Sequence, residues 1–178
     1  MNRLKGQRVY LAGPIDRCPD EGRSWRESIS SFLTDLGVVI LNPLNKPTEI
    51  AKEDSESRQR RKYLKVTQQY DELRKEMKVI RNVDLRMVDI SDFLIVHLDL
   101  DIFACGTIEE VDLANRQKKP IIVHMKQGKE NAPDWLFAMI PHQTIFSSWN
   151  VIENYLLAID TGLETEDNLN RWYFFNLK

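Results

Sequence analysis

The chain has 178 residues, 42% of them hydrophobic, and a formal net charge of −2. That length suits one domain that buries its own core without staples. A near-neutral balance with no basic tail argues against a nucleic-acid polymer as partner, and no apolar run approaches the roughly 20 residues of a membrane-spanning helix.

In chain order, the short apolar run at 9–12 is closed by Gly13-Pro14 and predicts a buried first strand. Residues 23–36 place Trp25, Ile29, Phe32, Leu33 and Leu36 at helical spacing, and Gly37 ends that helix. A second strand at 38–41 stops at Asn42-Pro43. Strand, helix and strand together predict a parallel pair with a right-handed crossover. The apolar run near the start is too short for a signal sequence.

Residues 44–78 are rich in Arg, Lys, Glu and Gln, with a thin stripe of Leu64, Tyr70, Leu73, Met77 and Ile80. One or two exposed helices are predicted there, serving as a lid or an oligomer contact. Arg58, Arg60, Arg61, Lys62 and Lys65 read as a solvated helix face. A separate helix is expected at 79–91, with Val83, Met87 and Ile90 facing the sheet. The run at 93–98 reads as a strand covered on both faces, with His97 as a satisfied core histidine. A helix at 107–117, a strand at 120–124, a helix at 135–140, a short strand at 145–146 and a helix at 149–159 follow. The aromatics Trp172, Tyr173, Phe174 and Phe175 are expected to dock on the body or on a second subunit. Nothing marks a domain boundary, so 1–178 reads as a single domain, with a helical insertion at about 50–78 and an aromatic tail at about 161–178.

Chemistry concentrates at the loop after the third strand. Asp99, Asp101 and Gly106 precede Thr107, Glu109 and Glu110, at what reads as the first turn of a helix. Ligands of open α/β sheets bind outside the carboxyl ends of the strands. Gly106 permits close approach of a ligand, and a carboxylate there can attack a sugar carbon. The plainer alternative is that both glutamates answer the positive end of a helix. Asp84 reads as half of a surface ion pair, Asp92 as a turn residue, and Asp16 as either a turn-former or a ligand contact. Cys18 and Cys105 form no CxxC pair, and His97, His124 and His142 lack zinc spacing. No metal or cofactor is expected, and reduced thiols point to the cytoplasm. Neither a Walker pattern, a GxGxxG fingerprint nor a GxSxG elbow is present.

Three pieces resemble the nucleoside 2-deoxyribosyltransferase superfamily. Val9-Tyr10-Leu11-Ala12-Gly13-Pro14-Ile15 is similar to its first strand and loop. Asn82-Val83-Asp84-Leu85 through Ser91-Asp92-Phe93-Leu94-Ile95-Val96 is similar to its helix leading into a strand. Gly106-Thr107-Ile108-Glu109-Glu110-Val111-Asp112-Leu113-Ala114 resembles its G-T-x-x-E-x-G-x-A motif, and Lys119-Pro120-Ile121-Ile122 the strand beyond. The resemblance implies a flavodoxin-like, Rossmann-like three-layer α/β fold around a mostly parallel sheet. It implies cleavage of the N-glycosidic bond of a 2′-deoxynucleoside, with transfer of deoxyribose to a free nucleobase. Glu110 would be the nucleophile, Tyr10 its orienting partner, and Asp84 the group that meets the base or helps protonate it. Gly13, Asp16, Asp92, Asp101, Gly106 and Thr107 would line the substrate. Asn131 or Asp134 would reach a neighbouring subunit's sugar in a homo-oligomer. Hydrolysis of the deoxynucleoside or of its 5′-monophosphate, and a binding protein without turnover, stand as alternatives. Two departures bear on this. Asp112 stands where the family has glycine, and the loop Phe103-Ala104-Cys105 lacks the serine that holds a 5′-phosphate in the hydrolase branch. Arg81, Arg86, Ser147 or Ser148 would have to replace that serine, and an unphosphorylated nucleoside is the favoured substrate.

Overall fold

The structure is a computed structural model that describes residues 2–46, 51–163 and 171–175. Five strands carry the fold: β1 (Arg8–Ala12), β2 (Val39–Leu41), β3 (Phe93–Leu98), β4 (Ile121–Met125) and β5 (Ile145–Phe146). They form one sheet in the order β2-β1-β3-β4-β5, and every neighbouring pair is parallel. This is the flavodoxin-like order, whose direction of winding reverses between β1 and β3.

The helices are α1 (Arg23–Asp35), α2 (Ser55–Val66), α3 (Tyr70–Ile90), α4 (Cys105–Arg116), α5 (Asp134–Met139) and α6 (Trp149–Thr161). Strand alternation sorts the core into two layers. Tyr10, Ala12, Leu94, Val96, Ile121 and Val123 face α3, α4 and α5, meeting Met87, Val88, Val111, Ala114 and Leu136. Val9, Leu11, Phe93, Ile95 and Ile122 face α1 and α6, meeting Ile29, Leu33, Ile152 and Leu156. Both faces of β3 are therefore covered, as its apolar run requires.

Two boundaries differ from the sequence reading. Residues 70–90 form one continuous helix of 21 residues rather than a charged segment followed by a separate helix. No glycine or proline interrupts it, and Ile80, Asp84, Met87 and Val88 continue one buried stripe. Its amino-terminal half looked unlike a core helix because it packs on α2, to which Arg60 and Arg61 join it through Glu76. The other boundary is α4, which starts at Cys105 and has no acidic residue in its first turn.

Of the aromatic tail, Trp172 docks on the body. It is buried, its ring lies 5.2 Å from that of Phe93, and its indole N–H donates to the Tyr155 hydroxyl at 3.1 Å. Residue 50 of the expected insertion, and residues 164–170 and 176–178 of the expected tail, lie outside the described residues. Among the described residues, no helix is long and apolar enough to cross a membrane.

Candidate active site

A cavity of about 410 Å³ opens beyond the carboxyl ends of the paired strands β1 and β3. Its walls come from the loop after β1, from α3, from the segment before α2 and from the start of α4. Gly13, Asp16, Asp84, Gly106, Thr107 and Glu110 all line it. A β-carbon at Gly106 would meet no protein atom within 4 Å, so glycine leaves space there rather than relieving a clash. Gly13 is different: a β-carbon would sit 2.8 Å from the Trp25 ring.

The loop at Gly13 is held from below by Arg26. This arginine is buried on α1 and donates to the carbonyls of Gly13 and Gly22, each at 2.8 Å, and of Leu11 at 3.3 Å. Its guanidinium also lies 4.5 Å from the centre of the Trp25 ring. Sequence reasoning missed Arg26, although a signal existed. It falls three residues before Ile29 and seven before Leu33, inside the buried stripe, where a cation needs a polar partner.

Glu110 lies beyond the first turn of α4, so the attraction of a helix amino terminus for acids does not explain it. Tyr10, fully buried on β1, donates its hydroxyl to Glu110 Oε1 at 2.7 Å. Burial pushes the Tyr10 phenol far above its usual range, so it stays a donor. Burial also pushes Glu110 up to about 8. The Tyr10 hydrogen bond opposes that rise, and the nearby Asp84 charge adds to it. Glu109, its neighbour, instead pairs with Arg81 on the exposed face.

Asp84 is buried on α3, not on the surface. Burial raises it to about 6 against the pull of Lys46, while Glu53 adds repulsion. Lys46 Nζ stands 2.9 Å from Asp84 Oδ1 and 2.5 Å from Glu53 Oε2, with its side chain 1% exposed. That contact is an ion pair rather than an aligned hydrogen bond, since Oδ1 is buried with no hydrogen-bond donor. Sequence reasoning missed Lys46 and Glu53, because a charged connection after β2 gives no sign that it folds back over α3.

Four expected contacts lie elsewhere. Asp92 precedes β3 at the amino edge of the sheet, where it accepts from the Arg8 backbone at 2.7 Å and from its guanidinium at 2.9 Å. Asp101 faces Gln127 at 3.2 Å beyond the carboxyl end of β3, outside the cavity wall. Asn131 donates to the Gln127 carbonyl at 2.6 Å, and both it and Asp134 are exposed away from the cavity. Asp112 points outward and pairs with Arg116 at 2.8 Å, so the charge at the family's glycine position leaves the pocket untouched. His97 meets His124 with Nδ1 atoms 2.8 Å apart beneath Trp149. Among the described residues no group of His, Cys, Asp or Glu is arranged to hold a metal ion.

The fold and the cavity define an open-sheet α/β protein with a carboxylate pair at the winding switch of its strands. The family model described as nucleoside 2-deoxyribosyltransferase matches residues 9–168. The chain belongs to that family. Among solved structures it is similar to a 2-deoxyribosyltransferase from the psychrotolerant bacterium Bacillus psychrosaccharolyticus, with 19% identity and a TM-score of 0.60 over 83% of this chain and 91% of that one. It is also similar to a 2-desoxiribosyltransferase from Leishmania mexicana, with 16% identity and a TM-score of 0.53 over 85% of this chain and 97% of that one. At these identities the likeness is one of fold. No curated protein is similar enough in sequence to count as a match.

Proposed function

We propose that this chain cleaves the N-glycosidic bond of 2′-deoxynucleosides and transfers the deoxyribosyl group to another nucleobase, through a covalent ester on Glu110. The observation that carries this reading is the Tyr10–Glu110 hydrogen bond of 2.7 Å beside the buried Asp84, which burial raises to about 6, all at one cavity. A Glu110 oxygen attacks C1′ and the bond from C1′ to the base nitrogen breaks. The base takes that electron pair, and a proton from Asp84 spares it from leaving as an anion. A second base then attacks C1′ and gives its N–H proton to the Asp84 carboxylate, the ester bond breaks, and Glu110 returns as a carboxylate. Both roles belong to side chains, so the mechanism calls on no metal or cofactor. Water can replace the second base, because the cavity is open to solvent; that reaction is hydrolysis. The exposed Phe103, Ile108, Trp135 and Phe137 favour a homo-oligomer. In it, Asn131 and Asp134 would serve a neighbouring subunit's site.

Mixing the protein with a deoxynucleoside and a different free base tests the reading. Exchanged deoxynucleoside is expected, and rapid quench followed by mass spectrometry is expected to find deoxyribose esterified to Glu110. Free deoxyribose without exchange would move the assignment to hydrolysis; neither product would remove it.

The pH dependence follows from the carboxyl pair. One proton must be present between Glu110 and Asp84, so kcat/KM is expected to trace a bell with limbs near pH 6 and pH 8. In the empty site that proton rests on Glu110 more than on Asp84, and must move to the acid or the base before attack. Tyr10→Phe removes the hydrogen bond that holds Glu110 down. The upper limb should then shift to higher pH, and the maximum should fall roughly 10- to 100-fold, as for loss of a hydrogen bond to a charged group. An unmoved limb would count against Tyr10 as the partner of the nucleophile.

A further inference from the structure

We propose that the substrate enters this site as a nucleotide, with its 5′-phosphate chain lying in a basic cavity along α2. The proposal rests on the glycosidic reading above and changes the substrate class the sequence favours. A second cavity, of about 590 Å³, adjoins the first. Asp16, Arg17 and Arg61 line both, so the two are continuous. The second is walled by five cations, Arg17, Arg58, Arg61, Lys62 and Lys65, against the single carboxylate of Asp16.

These cations do not behave as one solvated helix face. Arg61 is buried, 4% exposed, at the junction of the two cavities, and Glu76 holds it at 3.4 Å. Arg58 is tethered to Glu21 in the loop before α1. Arg17, Lys62 and Lys65 have no carboxylate partner among the described residues. Glu21 and Glu76 thus fix two of the five, and the other three leave an excess of positive charge facing one hollow. Residues 58, 61, 62 and 65 fall at three- and four-residue spacing, on one face of α2. Over seven residues that face runs about 10 Å, enough for more than one phosphate.

The first cavity has the opposite character on its far side. Met77, Ile80, Leu85 and Phe103 give it apolar walls suited to a flat base. With C1′ at Glu110 and the base against those walls, the exit past Arg61 and Arg17 is the one lined for anions. Guanidinium groups grip phosphate oxygens in pairs and lysines add point charge. The helix that covers the pocket therefore also selects what enters it. The hydroxyl missing from the Phe103-Ala104-Cys105 loop is replaced by cations from another element.

The test compares a 2′-deoxynucleoside, its 5′-monophosphate and its 5′-triphosphate on the intact protein. kcat/KM is expected to rise from nucleoside to monophosphate by at least about 10-fold, and again to triphosphate, mostly through KM. The double reversal Lys62→Glu/Lys65→Glu changes two exposed residues. It should bring the ratio of triphosphate to nucleoside kcat/KM down by about 10- to 100-fold. Equal efficiency for nucleoside and triphosphate, a gain complete at the monophosphate, or a ratio that survives the double reversal would each overturn the proposal. Calorimetry with inorganic triphosphate separates this from the glycosidic reading. Binding that the double reversal abolishes supports the phosphate site even where no base is released, and absence of binding to the unaltered protein overturns it.

Discussion

Glu110→Gln is expected to lower kcat for deoxyribosyl transfer by at least about 10⁴-fold, the scale on which a covalent nucleophile is missed, while making the protein more stable above neutral pH. The amide keeps the shape and still accepts the Tyr10 hydroxyl, but it cannot form the ester. The stability gain follows from the sign of the shift. Burial raises the folded carboxyl to about 8 from an ordinary 4.5, so the folded state holds its proton more tightly than the unfolded chain. The stability that proton provides is whole below about pH 4.5 and is lost as pH rises through 8. Glutamine has nothing to lose across that window. The cavity lets water reach Glu110, which reduces the difference at pH 9 to on the order of 3 kcal/mol, or roughly 6–12 °C in Tm for a chain of this size. Base exchange reads the first effect, and thermal melts of both proteins at pH 5 and pH 9 read the second. A variant that keeps its rate would remove Glu110 from the chemistry. A variant that melts lower at pH 9 would show that the buried carboxyl is not strained.

The second large effect is expected at Asp84. Asp84→Asn should reduce kcat by about 10²- to 10⁴-fold for a natural base, the span general acids supply. The loss should shrink for a deoxynucleoside whose base leaves readily without a proton. The variant also changes the profile. With one carboxyl left, the bell should become a single ascending limb. That limb should lie below pH 8, because the Asp84 charge is one of the causes raising Glu110. Steady-state rates on two substrates of unlike leaving ability, across pH 5 to 9, measure both. An equal loss on the two substrates would make Asp84 a positioning residue for Lys46 rather than the acid.

Much of the fold was legible in the sequence because its signals are local. β1 is an apolar run closed by Gly13-Pro14, β2 one closed by Asn42-Pro43 and β3 one closed by Asp99, and each central helix keeps a 3.6-residue stripe. The stripe of α3 was misjudged where its partner changes from sheet to α2, since periodicity reports that a face is buried and not what buries it. The carboxylates at 84 and 110 were visible as motif members, yet Lys46, Glu53 and Arg61 were not. Lys46 and Glu53 flank the charged segment after β2 and Arg61 sits on α2, and no local rule states which neighbour such charged residues will meet. Asp92 is instructive in the other direction. It precedes a strand whose ligand edge is the far end, so the rule that sites lie at carboxyl ends already argued against it.

The sheet ends on one side in β2, of three residues, and on the other in β5, of two. A border strand that short offers few free N–H and C=O groups for an incoming backbone to copy. Growth of the sheet by a foreign strand is therefore poorly templated within the described residues, and strand exchange between copies gains little. In the homo-oligomer proposed above, contact through exposed side chains such as Trp135 is expected in place of pairing at the rims of the sheet.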